Sequence, residues 1–408
     1  MFDFSEQSRD LQARLQAFMD DYIYPNEHTF AEQMAGAENR FAPVPIVEEL
    51  KVKAREAGLW NLFIPPSLAT FCDHEGISNF DYAPLAEIMG RVLWSPEVFN
   101  CNAPDTGNME VLMKYGSEAQ QERWLRPLLD GEIRSAYAMT EPQVASSDAT
   151  NVQLSIVRDG DEWVLNGRKW FITGAMYERT GIFIVMGKSD PENPNRHQQQ
   201  SQVLVPRGTP GLEIIRPLTT LGYDDAPHGH AELRFNDVRV PAENILLGEG
   251  RGFEIAQGRL GPGRMHHCMR LVGAAQRSLE LACQRVTRRE TFGRPLSKHQ
   301  SVREGIAQSF AEIEMMRMLV LKACKRMDEV GAQAARDMIA AAKIAVPLMA
   351  QNVIDRCMQV HGAGGLTEDW MMAEAFSYAR WCRQADGPDE VHMMALGKQV
   401  IERYSNPE

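Results

Sequence analysis

From Ser5 to Tyr24 the apolar positions Leu11, Leu15, Phe18 and Tyr22 recur at spacings of three and four, which predicts an amphipathic helix stopped by Pro25. The same spacing predicts helices over about 45–57, closed by Gly58, over 81–94, over 106–115, closed by Gly116, and over 117–129, opened by the capping-box pair Ser117 and Gln120. Between Ser135 and Pro241 the period changes to two. Val152, Leu154 and Ile156 alternate with polar residues, Asp159-Gly160-Asp161 turns the chain, and Trp163 and Leu165 lead into an expected Asn166-Gly167 turn. Further short strands are expected at about 169–173, 182–187, 202–206, 212–216 and 231–236, with Asp190–Gln200 as a solvent-exposed loop. After Gly252 the helical period returns in long segments, at about 252–288, 298–330, 334–361 with a kink expected at Pro347, and 389–404. A glycine-rich irregular stretch falls near 362–366.

This order predicts an α+β protein in three parts: an N-terminal helical domain over 1–133, a middle β domain, barrel-like, over 134–246, and a C-terminal four-helix bundle over 247–408. At 408 residues the chain can bury a large core and a cofactor. Forty-three basic against fifty-five acidic residues give a net charge of −12 with no local basic patch, which argues against nucleic-acid and anionic-membrane partners. The seven cysteines are scattered and never spaced Cys-x-x-Cys, so they read as buried thiols in a reducing compartment. No apolar run approaches the roughly 18 residues of a membrane helix, and the N-terminal stretch is acidic where a signal peptide is basic. The expectation is a soluble, cytoplasmic protein.

The richest chemistry lies at the first boundary, Ala136–Asp148, where small and hydroxyl residues on an irregular loop can offer N–H groups and hydroxyls to a phosphate or a flavin edge. By composition alone it also fits an ordinary loop. His228-x-His230 and His266-His267 lack the third ligand and spacing of a zinc site, so no metal is expected. Trp170 and the methionines 315, 316 and 318 read as core or interface packing.

Four segments in order resemble the acyl-CoA dehydrogenase family. They are Tyr137-Ala138-Met139-Thr140-Glu141-Pro142 with Ser147-Asp148; Asn166 to Gly174; Arg289-Glu290-Thr291-Phe292-Gly293 with His299-Gln300; and Gln359 to Gly365, where Ala363 replaces the family's second glycine. The resemblance implies FAD as cofactor, with Tyr137, Met139, Thr140, Ser146, Ser147, Phe171 and Thr173 along the flavin. It assigns Arg289, Thr291, Phe292, Gln300, Gln359, Gly362 and Ala363 to the pyrophosphate and adenosine, typically those of a neighbouring subunit, with Pro388 and Glu390 also on the cofactor. A homodimer or homotetramer follows from that sharing. For Arg289 the chemistry is direct, since a guanidinium is the natural partner of a diphosphate.

The family's base is a glutamate near the C-terminus, and Asp386 falls on its position in Ala385-Asp386-Gly387-Pro388-Asp389-Glu390-Val391-His392. An aspartate is one methylene shorter, so the backbone or the substrate must come closer. The residue types alone also fit a helix N-cap at Asp386 or Asp389. Together with Asn102 to Asn108 and Arg259 to His267, the Asp-Gly-Pro stretch resembles a subgroup acting on long- or branched-chain acyl-CoAs. By resemblance Ser147, Gly261, Gly263, Arg264 and Gly387 meet the substrate, with Gly261 and Gly263 where the family carries side chains.

The resemblance thus implies an oxidoreductase that converts an acyl-CoA to a trans-2-enoyl-CoA. Asp386 takes the α-proton while a hydride leaves for flavin N5, and the thioester carbonyl is polarised by the flavin ribityl and the Asp386 N–H. Electrons then go to an electron-transferring flavoprotein. Two alternatives stay open: an oxidase of non-CoA substrates such as nitroalkanes, which also uses an aspartate base, and a flavoprotein that serves only as a binding module.

Overall fold

The computed structural model describes residues 3–405, so Met1 and Phe2 of the acidic N-terminal stretch lie outside the described residues. In chain order the helices are α1 (Glu6–Phe18), α2 (Glu27–Gly36), α3 (Pro45–Glu56), α4 (Asn79–Gly90), α5 (Ser95–Val98), α6 (Asp105–Tyr115), α7 (Glu118–Gln120) and α8 (Arg126–Leu129). Seven strands follow: β1 (Arg134–Ala138), β2 (Ser155–Asp159), β3 (Glu162–Thr173), β4 (Thr180–Lys188), β5 (Gln200–Pro206), β6 (Leu212–Leu218) and β7 (His230–Pro241). The helices α9 (Gly252–Arg288), α10 (Gln300–Ala334), α11 (Arg336–His361), α12 (Met372–Trp381) and α13 (Asp389–Ser405) complete the chain, with a two-residue β-hairpin pair at Glu290–Thr291 and Arg294–Pro295. The expected α+β order of helices, strands and helices is present. Two compact units form from it. One joins the chain up to Pro25 with Ile77–Pro96 and everything from Gly261 onward; the other joins Asn26–Gly76 with Glu97–Leu260.

In the second unit the sheet runs β1-β4-β2-β3-β7-β6, with β5 also paired to β4. β1 and β4 are parallel, with Tyr137 opposite Ile184, whereas β2 and β3 form an antiparallel hairpin closed at Asp159 and Glu162. Leu165, Phe183, Val185, Leu233 and Phe235 fill the core of the sheet, which alternation along the strands places on one face. The expected Asn166-Gly167 turn is not one. Both residues lie inside β3, where the register against β7 shifts between Leu165 and Gly167 and Gly167 adopts φ +149°. A Cβ on Gly167 would sit 2.9 Å from the Leu154 backbone, so the glycine marks a bulge under close approach rather than a chain reversal.

A buried charge group anchors the start of β1. Asp105, at the head of α6, accepts from the Ser135 N–H at 2.6 Å and from Arg134 Nε at 2.5 Å, and Arg134 also pairs with Glu97, which Lys51 meets at 2.6 Å. Each of these charged residues is under a tenth exposed, and each has an opposite partner, as buried charges require.

In the first unit α1 buries Leu11, Leu15 and Phe18 as the spacing predicts, but Tyr22 is exposed. A π-turn at Met19–Ile23 advances the register by one residue and turns Met19 and Ile23 inward in its place. Helices α4 and α9 touch through glycines: a Cβ on Gly273 would overlap the Glu87 carbonyl oxygen, and one on Gly90 would overlap the Arg270 backbone. α10 breaks its helical dihedrals at Gly331, φ +80°, while α11 continues through Pro347. By length and composition one described helix, within 336–366, could cross a membrane, against the expectation that no such run exists. Most of it is buried, and it carries the buried Asp337 and Lys343, as a bundle core helix does. The cysteines form no disulfide among the described residues; five are buried, but Cys72 and Cys283 are partly exposed, which corrects the expectation of seven buried thiols.

Candidate active site

Each unit carries one cluster of the expected residues. In the second unit β1 ends at Ala138 and delivers the loop from Met139 onward against β3. Thr140 and Trp170 bridge the two: the Trp170 N–H donates to the Thr140 carbonyl at 3.0 Å and the Thr140 hydroxyl donates back to the Trp170 carbonyl. Beneath the bridge Lys169, fully buried, donates to the Met139 carbonyl and to Glu141 Oε1, both at 2.8 Å. Glu141 also accepts the Gln153 and Leu154 N–H groups at 2.8 and 2.9 Å. Burial pushes the Lys169 ammonium down to about 8, and the Glu141 carboxylate works against that fall. The Ser146 hydroxyl accepts the Glu141 N–H at 2.8 Å, while Ser147 is exposed.

The clamp holds a polar-to-aromatic surface. Tyr137 receives a hydrogen bond on its hydroxyl from Gln202 Nε2 at 2.8 Å and lies under the Arg259 guanidinium, 4.2 Å from ring centre. Met139 packs beside Ala149, Met186, Ala256 and Phe253. Phe171 is 43% exposed in a left-handed conformation, φ +50°, and Thr173 shares a hydrogen bond with His230 Nδ1 at 3.0 Å. Burial holds His230 down to about 4. An exposed aromatic held at positive φ is a costly conformation in a folded chain, and a planar ligand over it would bury the ring. Thus Tyr137, Met139, Thr140, Ser146, Phe171 and Thr173 are brought to one loop-and-strand junction. Lys169 and Glu141, which hold that junction, had no role in the sequence reading, although both lie inside its motifs.

In the first unit Asp386 lies between α12 and α13, on a turn with φ +54° at Asp386 and +104° at Gly387. It precedes the first residue of α13 by three positions, so it is not that helix's N-cap. Cationic and imidazole donors hold the carbonyls of this turn. Arg264 Nε donates to the Asp386 carbonyl at 2.9 Å, His392 Nε2 approaches the same oxygen at 3.2 Å, and the buried Lys343 ammonium donates to the Cys382 and Gly387 carbonyls. Burial, with Arg264 and Lys343 adding repulsion, holds His392 down to about 4, so the ring is neutral and Nε2–H is the donor. A Cβ on Gly387 would lie 2.8 Å from that nitrogen, which leaves glycine as the residue that fits.

The other expected substrate residues divide. Gly263 faces open space, whereas a Cβ on Gly261 would come within 2.9 Å of Ala332, so Gly261 serves the approach of α9 to α10. Arg289, Phe292, Gln300, Gln359, Gly362, Ala363 and Glu390 are exposed, Pro388 is half-buried, and Thr291 is half-buried with its hydroxyl 3.3 Å from His299. Phe292 is 98% exposed at φ +50°. Near the turn at Gly362–Leu366, the buried His361 Nε2 and Arg285 Nε have no hydrogen-bond partner among the described residues, and open space faces Gly362 at φ +65°. Orphaned nitrogens beside a bare glycine turn fit an anionic or heterocyclic group such as the adenosine diphosphate half of FAD.

Family models match the chain along almost its whole length: the acyl-CoA dehydrogenase N-terminal domain over residues 5–132, the middle domain over 136–238 and the C-terminal domain over 250–401. The chain belongs to the acyl-CoA dehydrogenase family. It is 50% identical to "Probable acyl-CoA dehydrogenase IBR3" of Arabidopsis thaliana over 97% of this chain and 50% of that protein. The chain thus spans about half the length of that relative. It is 48% identical to "Probable acyl-CoA dehydrogenase FadE2" of Mycobacterium tuberculosis, over 98% of this chain and 97% of that one. A solved Mycobacterium abscessus structure assigned to the acyl-CoA dehydrogenases is 48% identical with a TM-score of 0.94, over 99% of this chain and 100% of that one.

Proposed function

We propose that this acyl-CoA dehydrogenase family member oxidises an acyl-CoA to its trans-2-enoyl-CoA, with Asp386 removing the α-proton. The observation that carries the reading is the turn at Asp386. A carboxylate on a left-handed turn, its own carbonyl held by Arg264 and His392, is fixed at its backbone while its side chain is only one-fifth exposed. FAD, when bound, supplies the acceptor for the β-hydride. The chain's part is to hold the flavin at Tyr137, Thr140, Phe171 and Thr173, while Arg289, Gln359 and the Gly362 turn take the pyrophosphate and adenosine, those of a neighbouring subunit's FAD. Asp386 then receives the α-proton, and Arg264 keeps the turn from relaxing as the carboxyl becomes neutral. The exposed Phe292 and the apolar residues Met394 and Ile401 of α13, each more than two-thirds exposed, support a homodimer or homotetramer in which a second copy covers them. An electron-transferring flavoprotein is the partner this chemistry calls for, and long- or branched-chain acyl groups are the substrates the aspartate subgroup suggests.

The test is anaerobic titration of the FAD-loaded protein with butyryl-, octanoyl-, palmitoyl- and isovaleryl-CoA, followed at the flavin absorbance. Bleaching by one class is expected. Asp386→Asn should keep its FAD and lose turnover by about 10³-fold or more. Reduction by nitroethane and by no acyl-CoA would overturn the substrate class, and an active Asp386→Asn enzyme would overturn the base.

A further inference from the structure

We propose that His267 is the positioning residue of the Asp386 base, forming with Tyr378 a Tyr–His–Asp line that sets the direction of the carboxylate. This rests on the reading of Asp386 as the base. His267 Nε2 lies 3.8 Å from Asp386 Oδ2, with the two side chains 12% and 20% exposed. Its other nitrogen, Nδ1, is 2.9 Å from the Tyr378 hydroxyl. The ring is walled by Trp381 at 5.9 Å in an edge-on contact, and Trp381 in turn meets Tyr378 at 5.1 Å.

In the proposed line the Tyr378 hydroxyl, 2.9 Å from His267 Nδ1, is the donor. Burial drives the Tyr378 phenol well above its ordinary range, so it keeps its proton and can donate to His267 Nδ1. With Nδ1 accepting, the ring carries an N–H on Nε2, the nitrogen nearer the Asp386 carboxylate. Of the other charged neighbours, Arg264 on α9 donates through Nε to the Asp386 carbonyl while its charge also acts on the carboxylate, Lys343 on α11 and the neutral His392 on α13 donate to backbone carbonyls, and Arg270 on α9 meets the Tyr378 hydroxyl. The thiols of Cys268 on α9 and Cys382 at the end of α12 are pushed up to about 12 by burial and stay uncharged. Backbone donors thus place the turn, and His267 Nε2 lies within reach of the carboxylate oxygens. An aspartate lacks one methylene of the family's glutamate; an N–H directed at Oδ2 leaves Oδ1 turned to the substrate and restricts the rotamer the shorter side chain needs. The pair His266-His267, dismissed as a metal site, thereby divides its work, since His266 packs edge-on against Tyr82 instead.

The test compares His267→Ala, His267→Gln and Tyr378→Phe in the FAD-loaded enzyme, using octanoyl-, palmitoyl- and isovaleryl-CoA with a dye acceptor. His267→Ala should lower kcat by about 30- to 100-fold with KM changed less than about threefold, as expected of a misaligned base. The acid limb of kcat/KM should move up by about one pH unit as the carboxylate loses the nearby imidazole N–H. His267→Gln, which keeps an amide N–H, should recover most of both effects. In 15N-histidine-labelled protein, His267 should carry its proton on Nε2, and Tyr378→Phe should erode that preference. Unchanged kcat and acid limb in His267→Ala, or an Nδ1–H tautomer in the parent, overturns the proposal. Should His267→Ala not fold, His267→Gln and Tyr378→Phe decide by the same limb and tautomer. Activity in Asp386→Asn would instead remove the base itself, so the two failures are distinct.

Discussion

Replacing Lys169 by methionine tests whether the clamp under the Met139–Glu141 loop is what holds the surface proposed to face the flavin. Lys169 is 0% and Glu141 3% exposed at the side chain, and the ammonium spans Glu141 and the Met139 carbonyl at 2.8 Å each. Removing one member of a buried ion pair costs about 3–5 kcal/mol, because the other charge is left in a medium that cannot solvate it. Glu141 retains the Gln153 and Leu154 N–H groups, which places the loss at the lower end, about 3 kcal/mol. In a unit of about 200 residues this lowers the melting temperature by roughly 6–12 °C. The loop should loosen with it, so the flavin-to-protein absorbance ratio should fall on gel filtration. A second substitution discriminates clamp from general damage: Lys169→Met with Glu141→Gln removes the stranded charge and should regain about 1–2 kcal/mol over the single variant. Differential scanning fluorimetry of parent, single and double variants, with flavin content read on the same samples, provides the comparison. A Lys169→Met protein that melts within about 2 °C of the parent and keeps its flavin would refute the clamp.

Gly273→Ala should destabilise the first unit by about 1–3 kcal/mol or more, since its methyl would overlap the Glu87 carbonyl and α4 and α9 would have to part; thermal unfolding with unchanged stability would mean that the helices can slide. Phe292→Ala should leave monomer stability within about 0.5 kcal/mol, because the ring is 98% exposed, yet shift the protein to smaller assemblies with weaker FAD retention. Light scattering that finds the same assembly, with full flavin, would remove Phe292 from both roles.

The strands and the long helices were legible because their periods run for many residues: β4, β5 and β6 and helices α9, α10 and α13 all fall within a few residues of the expected bounds. What escaped was chemistry with two uses. Asn-Gly serves a tight turn and a bulge equally well, and only the Leu154 backbone pressing on Gly167 selects the bulge. The π-turn after α1 moves the apolar stripe by one position, from Tyr22 to Met19 and Ile23, and a spacing rule based on 3.6 residues cannot register it. The regrouping of α1 and α4 with the C-terminal helices rests on packing such as Gly273 against Glu87, which no local pattern encodes.

The site was legible only through resemblance, and unevenly. Asp386 was proposed from its place in a motif, but nothing in Ala-Asp-Gly-Pro says which way a carboxylate points. That information is spread over four helices: Arg264 and His267 on α9, Lys343 on α11, Tyr378 on α12 and His392 on α13. Three of these five hold backbone carbonyls rather than the carboxylate. If Asp386 is the base, as proposed, such a division is what its shorter side chain requires, because the missing methylene must be made up by the path of the main chain. The left-handed φ at Asp386, the glycine that alone fits beside His392, and the buried lysine under the turn are therefore one device. On that reading, Asp386→Glu without altering these donors should misplace the carboxylate rather than improve it.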